Sequence, residues 1–241
     1  MARKGTMTNY TIKSEFLQEE MTIAVYEPEQ FDSLYENQVC IMQDGDDYFQ
    51  IGRIQRISDQ LHEEYDLINT TFVGIHYIDR FDRLKKYHPD GEQHEAYKQF
   101  LAKEVLPFLE EKMPLNPLGT TFHLLGDSLA GTIALLTVLD HPTLFETIIL
   151  QSPLVNDEIL SLVEKKGNDL RADIYHSIGL KECEVHTTKD GIQDFLTPNR
   201  ALEQSLAKLS ITYDYVEIED GNHTWKYWQK ELPIVIEDML S

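Results

Sequence analysis

Residues Leu124–Pro142 read LLGDSLAGTIALLTVLDHP. The run before the serine, TTFHLL from Thr120, is short, apolar and partly β-branched, as a buried strand is. The run after it has helical spacing that Pro142 stops. Ser128 therefore falls at a strand-to-helix corner, between Gly126 and Ala130–Gly131. Such a corner can lift a serine Oγ out of the sheet edge and aim the following N–H groups at a developing oxyanion. It can equally be an ordinary loop whose serine caps a helix. Small residues on both sides suit the tight turn, and the pattern G-x-S-x-A-G carries alanine where G-x-S-x-G has its second glycine.

The rest of the chain supplies the context. Alternating segments NYTIKSEFL and MTIAVYEP open it as half-exposed antiparallel strands. The buried-type runs QVCIMQDG and TTFVGIHYI follow, then a long amphipathic segment from about His94 to Lys112 and the TFHLL strand. Beyond the corner, strands ETIILQSP, RADIYHSIG and ITYDYVEIED alternate with helices NDEILSLVEKKG, TPNRALEQSLAKL and QKELPIVIEDML. This alternation predicts an α/β fold: a mostly parallel central sheet with N-terminal antiparallel strands and helices on both faces. The 241 residues carry no Gly/Ser/Pro-rich linker, so residues 1–241 are expected to form one domain.

With 42 Asp plus Glu against 21 Lys plus Arg, the net charge of −21 repels phosphate backbones and anionic headgroups. Nucleic-acid and membrane partners are not expected, although a homo-oligomer is compatible. No segment is long enough to span a bilayer, and MARKGTMTNYTIKSEF lacks a leader's apolar region. Cys40 and Cys183 lack disulfide-framework or metal spacing, so the expectation is a cytoplasmic protein without a metal site.

In such sheets the chemistry gathers beyond the carboxyl ends of the strands. There lie DGDDYF, GDSLAG, SPLV, the stretch from GLKE to KDGIQDFL, and DGNHTWKYW. Of nine histidines, only His223 occupies the loop between the last strand and the last helix. Ser128 and His223 thus stand in the order of a nucleophile and its base, with an acid expected between them.

The segments MQDGDDYF, RFDRLKKYHPDGE, GDSLAG, HPTLFETIILQSP, DFLTPNRAL and DGNHTWKYW, in this order, resemble the putative-esterase family of α/β-hydrolases. The resemblance runs from about Ile23 to Leu240 and implies an α/β-hydrolase fold and a serine carboxylesterase that acts on small or acyl esters through an acyl-enzyme. It implies Ser128 as nucleophile, His223 as base and no cofactor. Asn222 stands where many relatives carry glycine, which implies a backbone that uses asparagine's tolerance of a left-handed conformation. In the family the acid precedes the base by about thirty residues. Asp194 lies 29 positions ahead of His223 and is the expected acid. Glu182, 41 positions ahead, and Asp190 are the alternatives, with CEVHTTKDGI reading as an insertion. The oxyanion hole is expected from the N–H groups of Leu129 and Asp46, with the Asp46 carboxylate turned away. Trp225 and Arg83 are candidates for the substrate pocket, Trp228 for packing the last helix, and Arg80 or Arg83 for positioning a loop. The alternatives are a siderophore trilactone esterase and a catalytically silent fold that serves as a binding module.

Overall fold

Strand periodicity shows directly in the core. In β3 (Asn37–Met42), Val39 and Ile41 face one apolar cluster while Cys40 and Met42 face another. In the strand before Ser128, Leu124 and Leu125 divide in the same way, as do Ile148 and Ile149 in the next. Successive side chains of a strand point to opposite faces, so a sheet with both faces covered needs apolar residues at every position.

The structure, a computed structural model, describes residues 4–29, 31–67, 69–116 and 118–241. Residues 1–3, part of the segment read above as carrying no leader, lie outside them. Strands β1 (Thr6–Ser14) and β2 (Glu19–Glu27) form an antiparallel pair. After β3 come α1 (Gly45–Gln50), α2 (Ile54–Glu64), β4 (Thr70–Ile75), α3 (Arg80–Tyr87), α4 (His94–Phe100) and α5 (Leu106–Lys112). Then follow β5 (Thr120–Asp127), α6 (Leu129–Asp140), β6 (Thr147–Gln151), α7 (Asp157–Lys166) and β7 (Asp173–Gly179). A small hairpin, β8 (Val185–His186) and β9 (Ile192–Gln193), precedes α8 (Leu196–Leu206), β10 (Tyr213–Ile218) and α9 (Trp225–Leu240). The main sheet runs β1-β2-β4-β3-β5-β6-β7-β10, antiparallel through β2–β4 and parallel from β4 onward. Side chains from α4 to α8 cover one face; α1, α2 and α9 cover the other. Helix α6 is buried from Leu129 to Leu139, which explains why its sequence is apolar all round. Among the described residues no helix is long and apolar enough to cross a membrane.

Helices α1, α2 and α3 and the hairpin are additions to the sequence reading. Ile54, Ile57 and Leu61 are buried on one face of α2, so its amphipathic signal was present in IGRIQRISDQLHEE. The segment predicted as one helix over 94–112 is interrupted by a π turn at Leu101–Val105. Pro107 has no N–H to give the Lys103 carbonyl, and the wider turn, with Leu106 N–H on Leu101 O, lets the helix continue. Helix α9 begins at Trp225, so the aromatic residues predicted just before the last helix lie inside it.

Candidate active site

The corner is strained. Ser128 has φ 52° and ψ −126°, a region that L-residues rarely occupy and that costs of order 1–3 kcal/mol. The strain is held by the Ser128 N–H on Gln151 O (2.8 Å) and the Thr132 N–H on Ser128 O (3.1 Å). A Cβ on Gly126 would lie 2.3 Å from the backbone of Ala130, and one on Gly131 would lie 2.9 Å from Gly126 O. The crossing is therefore between Gly126 and the 130–131 backbone. Glycine is needed at 126, while Ala130 turns its own methyl into the core.

Ser128 Oγ lies 2.9 Å from His223 Nε2, and His223 Nδ1 lies 2.7 Å from Glu182 Oε2. Glu182 is 1% exposed. Its other oxygen, Oε1, accepts from Ser152 Oγ (2.7 Å) and from the Gly179 N–H (2.9 Å). A carboxylate on Nδ1 favours the tautomer with its proton there, which leaves the Nε2 lone pair for the serine hydroxyl. Phe195 and Trp228 pack edge-on against the imidazole, with centroids at 4.6 and 4.9 Å. Trp228 also donates Nε1–H to Ser152 Oγ (3.0 Å).

Glu182 reaches the histidine because two turns lock together. The Leu180 N–H bonds Ile218 O, the Lys181 N–H bonds Gly221 O, and the Glu182 N–H turns back to Gly179 O. A Cβ on Gly179 would come within 2.4 Å of Gly221 C, so the turn after β7 and the turn after β10 touch backbone to backbone. Asp194, the expected acid, is exposed and accepts from the Thr197 N–H at the start of α8. Asp190 sits at the hairpin tip against His88 Nε2 (3.2 Å). Neither meets His223: the carboxylate there belongs to Glu182. The length from Asp194 to His223 was right for one helix and one strand, but the chain departs from the sheet edge in a hairpin before Asp194. Asn222 keeps a negative φ, contrary to the expectation of a left-handed backbone.

The first N–H groups of a helix have no intrahelical acceptor. Leu129 opens α6 and Asp46 is the second residue of α1, so both expected oxyanion donors stand at helix starts beyond the carboxyl ends of β5 and β3. The Asp46 carboxylate is more than half exposed and lies 3.2 Å from His76 Nδ1. Ahead of it, Asp44 is left-handed (φ 57°) and buried, and Arg83 holds it through Nε at 2.9 and 2.8 Å and through Nη2. Arg83 Nη2 also reaches Asp127 O (3.4 Å). Burial pushes the Asp44 and Asp127 carboxyls up, against the attraction of Arg83. The guanidinium of Arg83 thus ties the end of β5, just before the serine, to the turn after the neighbouring β3, while its exposed edge still lines the pocket. Trp225 does not line that pocket; it packs edge-on against Tyr48 at 4.8 Å because α9 starts at this residue.

The pocket over Ser128 measures about 120 Å³ and is walled by Leu129, Leu154, Phe195, Leu84 and the hairpin from Val185 to Asp190. A larger groove of about 1180 Å³ runs along the amino ends of the strands, past Asn37, Thr120 and Asp173, away from these groups. Ser152, the Gly179 N–H and Phe195 were not singled out in the sequence. Only the position of SPLV after a strand pointed toward the first.

A relative from Bacillus subtilis (strain 168), the uncharacterized protein YjcH, is 41% identical over 238 residues, 99% of each chain. Among solved structures, a ferulic acid esterase superposes with a TM-score of 0.78 at 16% identity, covering 99% of both chains. The enterochelin esterase of Shigella flexneri gives a TM-score of 0.80 at 19% identity, with 99% of this chain covering 59% of that one. The BES protein of Bacillus cereus gives 0.78 at 17%, covering 100% of this chain and 96% of that one. At these identities the likenesses are of fold. The putative-esterase family matches residues 14–238, and with this coverage of an α/β-hydrolase sheet the chain belongs to that family of esterases.

Proposed function

We propose that the chain is a serine carboxylesterase acting through Ser128, His223 and Glu182. The observation that carries this reading is the continuous hydrogen-bonded chain from Ser128 Oγ through the His223 ring to the buried Glu182. In the first step His223 Nε2 takes the serine proton as Oγ attacks the ester carbonyl, and the imidazolium is stabilised by Glu182. The Leu129 and Asp46 N–H groups receive the oxyanion. Collapse expels the alcohol, which takes the proton back from His223. Water, deprotonated by the same nitrogen, then releases the acid from the acyl-enzyme. The strained serine backbone supports the reading, since nothing in a simple helix cap requires φ 52°. A pocket of about 120 Å³ favours a small ester over a trilactone. Labelling by a fluorophosphonate probe, together with hydrolysis of p-nitrophenyl acetate, tests it. Both should occur in the natural protein and vanish in Ser128→Ala, and a silent binding module would show neither.

A further inference from the structure

The hairpin is held very differently at its two ends. At its base, Val185 and Phe195 are buried with Ile178 and Leu196 in a small apolar cluster. At its tip, Thr187 donates N–H and Oγ1–H to Gly191 O (2.7 and 3.0 Å), and the Asp190 N–H returns to Thr187 Oγ1 (2.9 Å). Gly191 has φ 72°, so the tight tip is self-contained. Two strands of two residues each have little stability of their own, and the position of the tip depends on what it touches.

What it touches is the loop after α3. Lys189 Nζ lies 2.6 Å from Asp90 Oδ2 and 3.3 Å from His88 Nδ1, and His88 Nε2 lies 3.2 Å from Asp190 Oδ2. His88 Nδ1 also accepts the Asp90 N–H (3.1 Å), so the ring carries its proton on Nε2 and donates it to Asp190. The charged partners are wet: Lys189, Asp90 and Asp190 side chains are 40, 67 and 38% exposed. Exposed ion pairs are individually weak and are screened by salt. The hairpin is thus anchored by burial at its base and only latched at its tip.

Below the latch is the serine. Residues Val185 to Asp190 form one side of the pocket that Ser128 and His223 line. A cavity of about 150 Å³ accommodates a benzene molecule. At about 120 Å³ this pocket takes a smaller group while the tip is down.

We propose that the β8–β9 hairpin determines acyl specificity, and that the latch of Lys189, Asp90, His88 and Asp190 confines turnover to esters of short acyl groups. The inference rests on the esterase reading above. The test is a series of p-nitrophenyl esters, acetate, butyrate and octanoate, with three proteins: the natural chain, Asp90→Lys, and Asp90→Lys with Lys189→Asp. The natural chain should lose about tenfold in kcat/KM from butyrate to octanoate. Asp90→Lys, which sets two cations against each other, should raise the octanoate-to-acetate ratio about fivefold, the scale of one exposed pair. The charge swap should return the ratio toward its natural value, which a merely structural lesion would not do. Salt near 1 M, where the screening length is about 3 Å, should raise the ratio in the natural chain as well. Hydrolysis with the same chain-length profile in all three proteins would overturn the inference and leave the esterase reading standing. No hydrolysis of any ester by any of them would remove both.

Discussion

Two loops at the same sheet edge, the elbow from Gly126 to Gly131 and the loop from Gly179 to Asp194, are held in place by contacts of very different range along the chain. In the elbow the constraint is local: Gly126 meets the backbone only four residues on, at Ala130, and Ser128 is pinned by the next strand through Gln151. In the acid loop the constraint is remote: Gly179 meets Gly221, and Glu182 is turned inward by bonds to Ser152 and to its own strand end. Spacing along the chain carries information where neighbours in sequence are neighbours in space. It loses that information once a hairpin intervenes.

The comparison breaks first at its shared element. If the elbow carries the nucleophile, Ser128→Ala and His223→Ala should each lower kcat by about four to six orders of magnitude with the melting temperature little changed. Retained activity in Ser128→Ala would detach the elbow from the chemistry, and retained activity in His223→Ala would remove the histidine as its base.

A sharper version sets the two acids of the second loop against each other. Glu182→Gln should cost up to about four orders of magnitude in kcat, because an amide on Nδ1 no longer enforces the productive tautomer. Asp194→Asn keeps an oxygen for the Thr197 N–H and should stay within a few-fold of the natural rate. An inactive Asp194→Asn beside an active Glu182→Gln would restore the expectation from spacing.

The same substitution in each loop separates close approach from backbone preference. A methyl on Gly126 has nowhere to go, so Gly126→Ala should destabilise by about 3 kcal/mol or more and reduce activity. A methyl on Gly191 meets nothing within 4 Å, and Gly191→Ala should cost only about 1–2 kcal/mol through its left-handed φ. Urea denaturation midpoints measure both, and equal losses would contradict the contrast.

The smallest effect lies beneath the site. Glu231 on α9 accepts from Gln151 Nε2 (2.5 Å) and Ser177 Oγ (2.8 Å), behind the strand end that holds Ser128, and burial lifts its carboxyl from 4.5 to about 7. The folded chain therefore keeps this proton at pH values where the unfolded chain has lost it. The associated stability is fully present below about pH 4.5 and is lost as pH rises through about 7. Glu231→Gln should shrink the fall in melting temperature between pH 5 and pH 8. An unchanged fall would place the proton elsewhere.

Much of the sheet was legible because strand and helix periods differ and Pro142 marks a boundary. The short helices after β3 are less legible, because α1 has only six residues and α2 shows its buried apolar face through Ile54, Ile57 and Leu61 alone. The aromatic cluster lies inside α9 and not ahead of it, because the helix starts at Trp225, before its apolar periodicity becomes visible at Trp228 and Leu232.

By itself the sequence determined the order of the eight main-sheet strands and of the helices that follow β5, the strand-to-helix corner at Ser128 and the placing of His223 between the last strand and the last helix. These follow from short-range sterics and from the periodicity of burial, which neighbouring residues already encode. Tertiary structure alone decided which carboxylate meets the histidine, that Arg83 bridges two strand ends, and that the hairpin walls the pocket. Each of these depends on which backbones touch across the sheet edge, and residues 41 positions apart in sequence, Glu182 and His223, become hydrogen-bonded partners only when the turns at Gly179 and Gly221 close on each other.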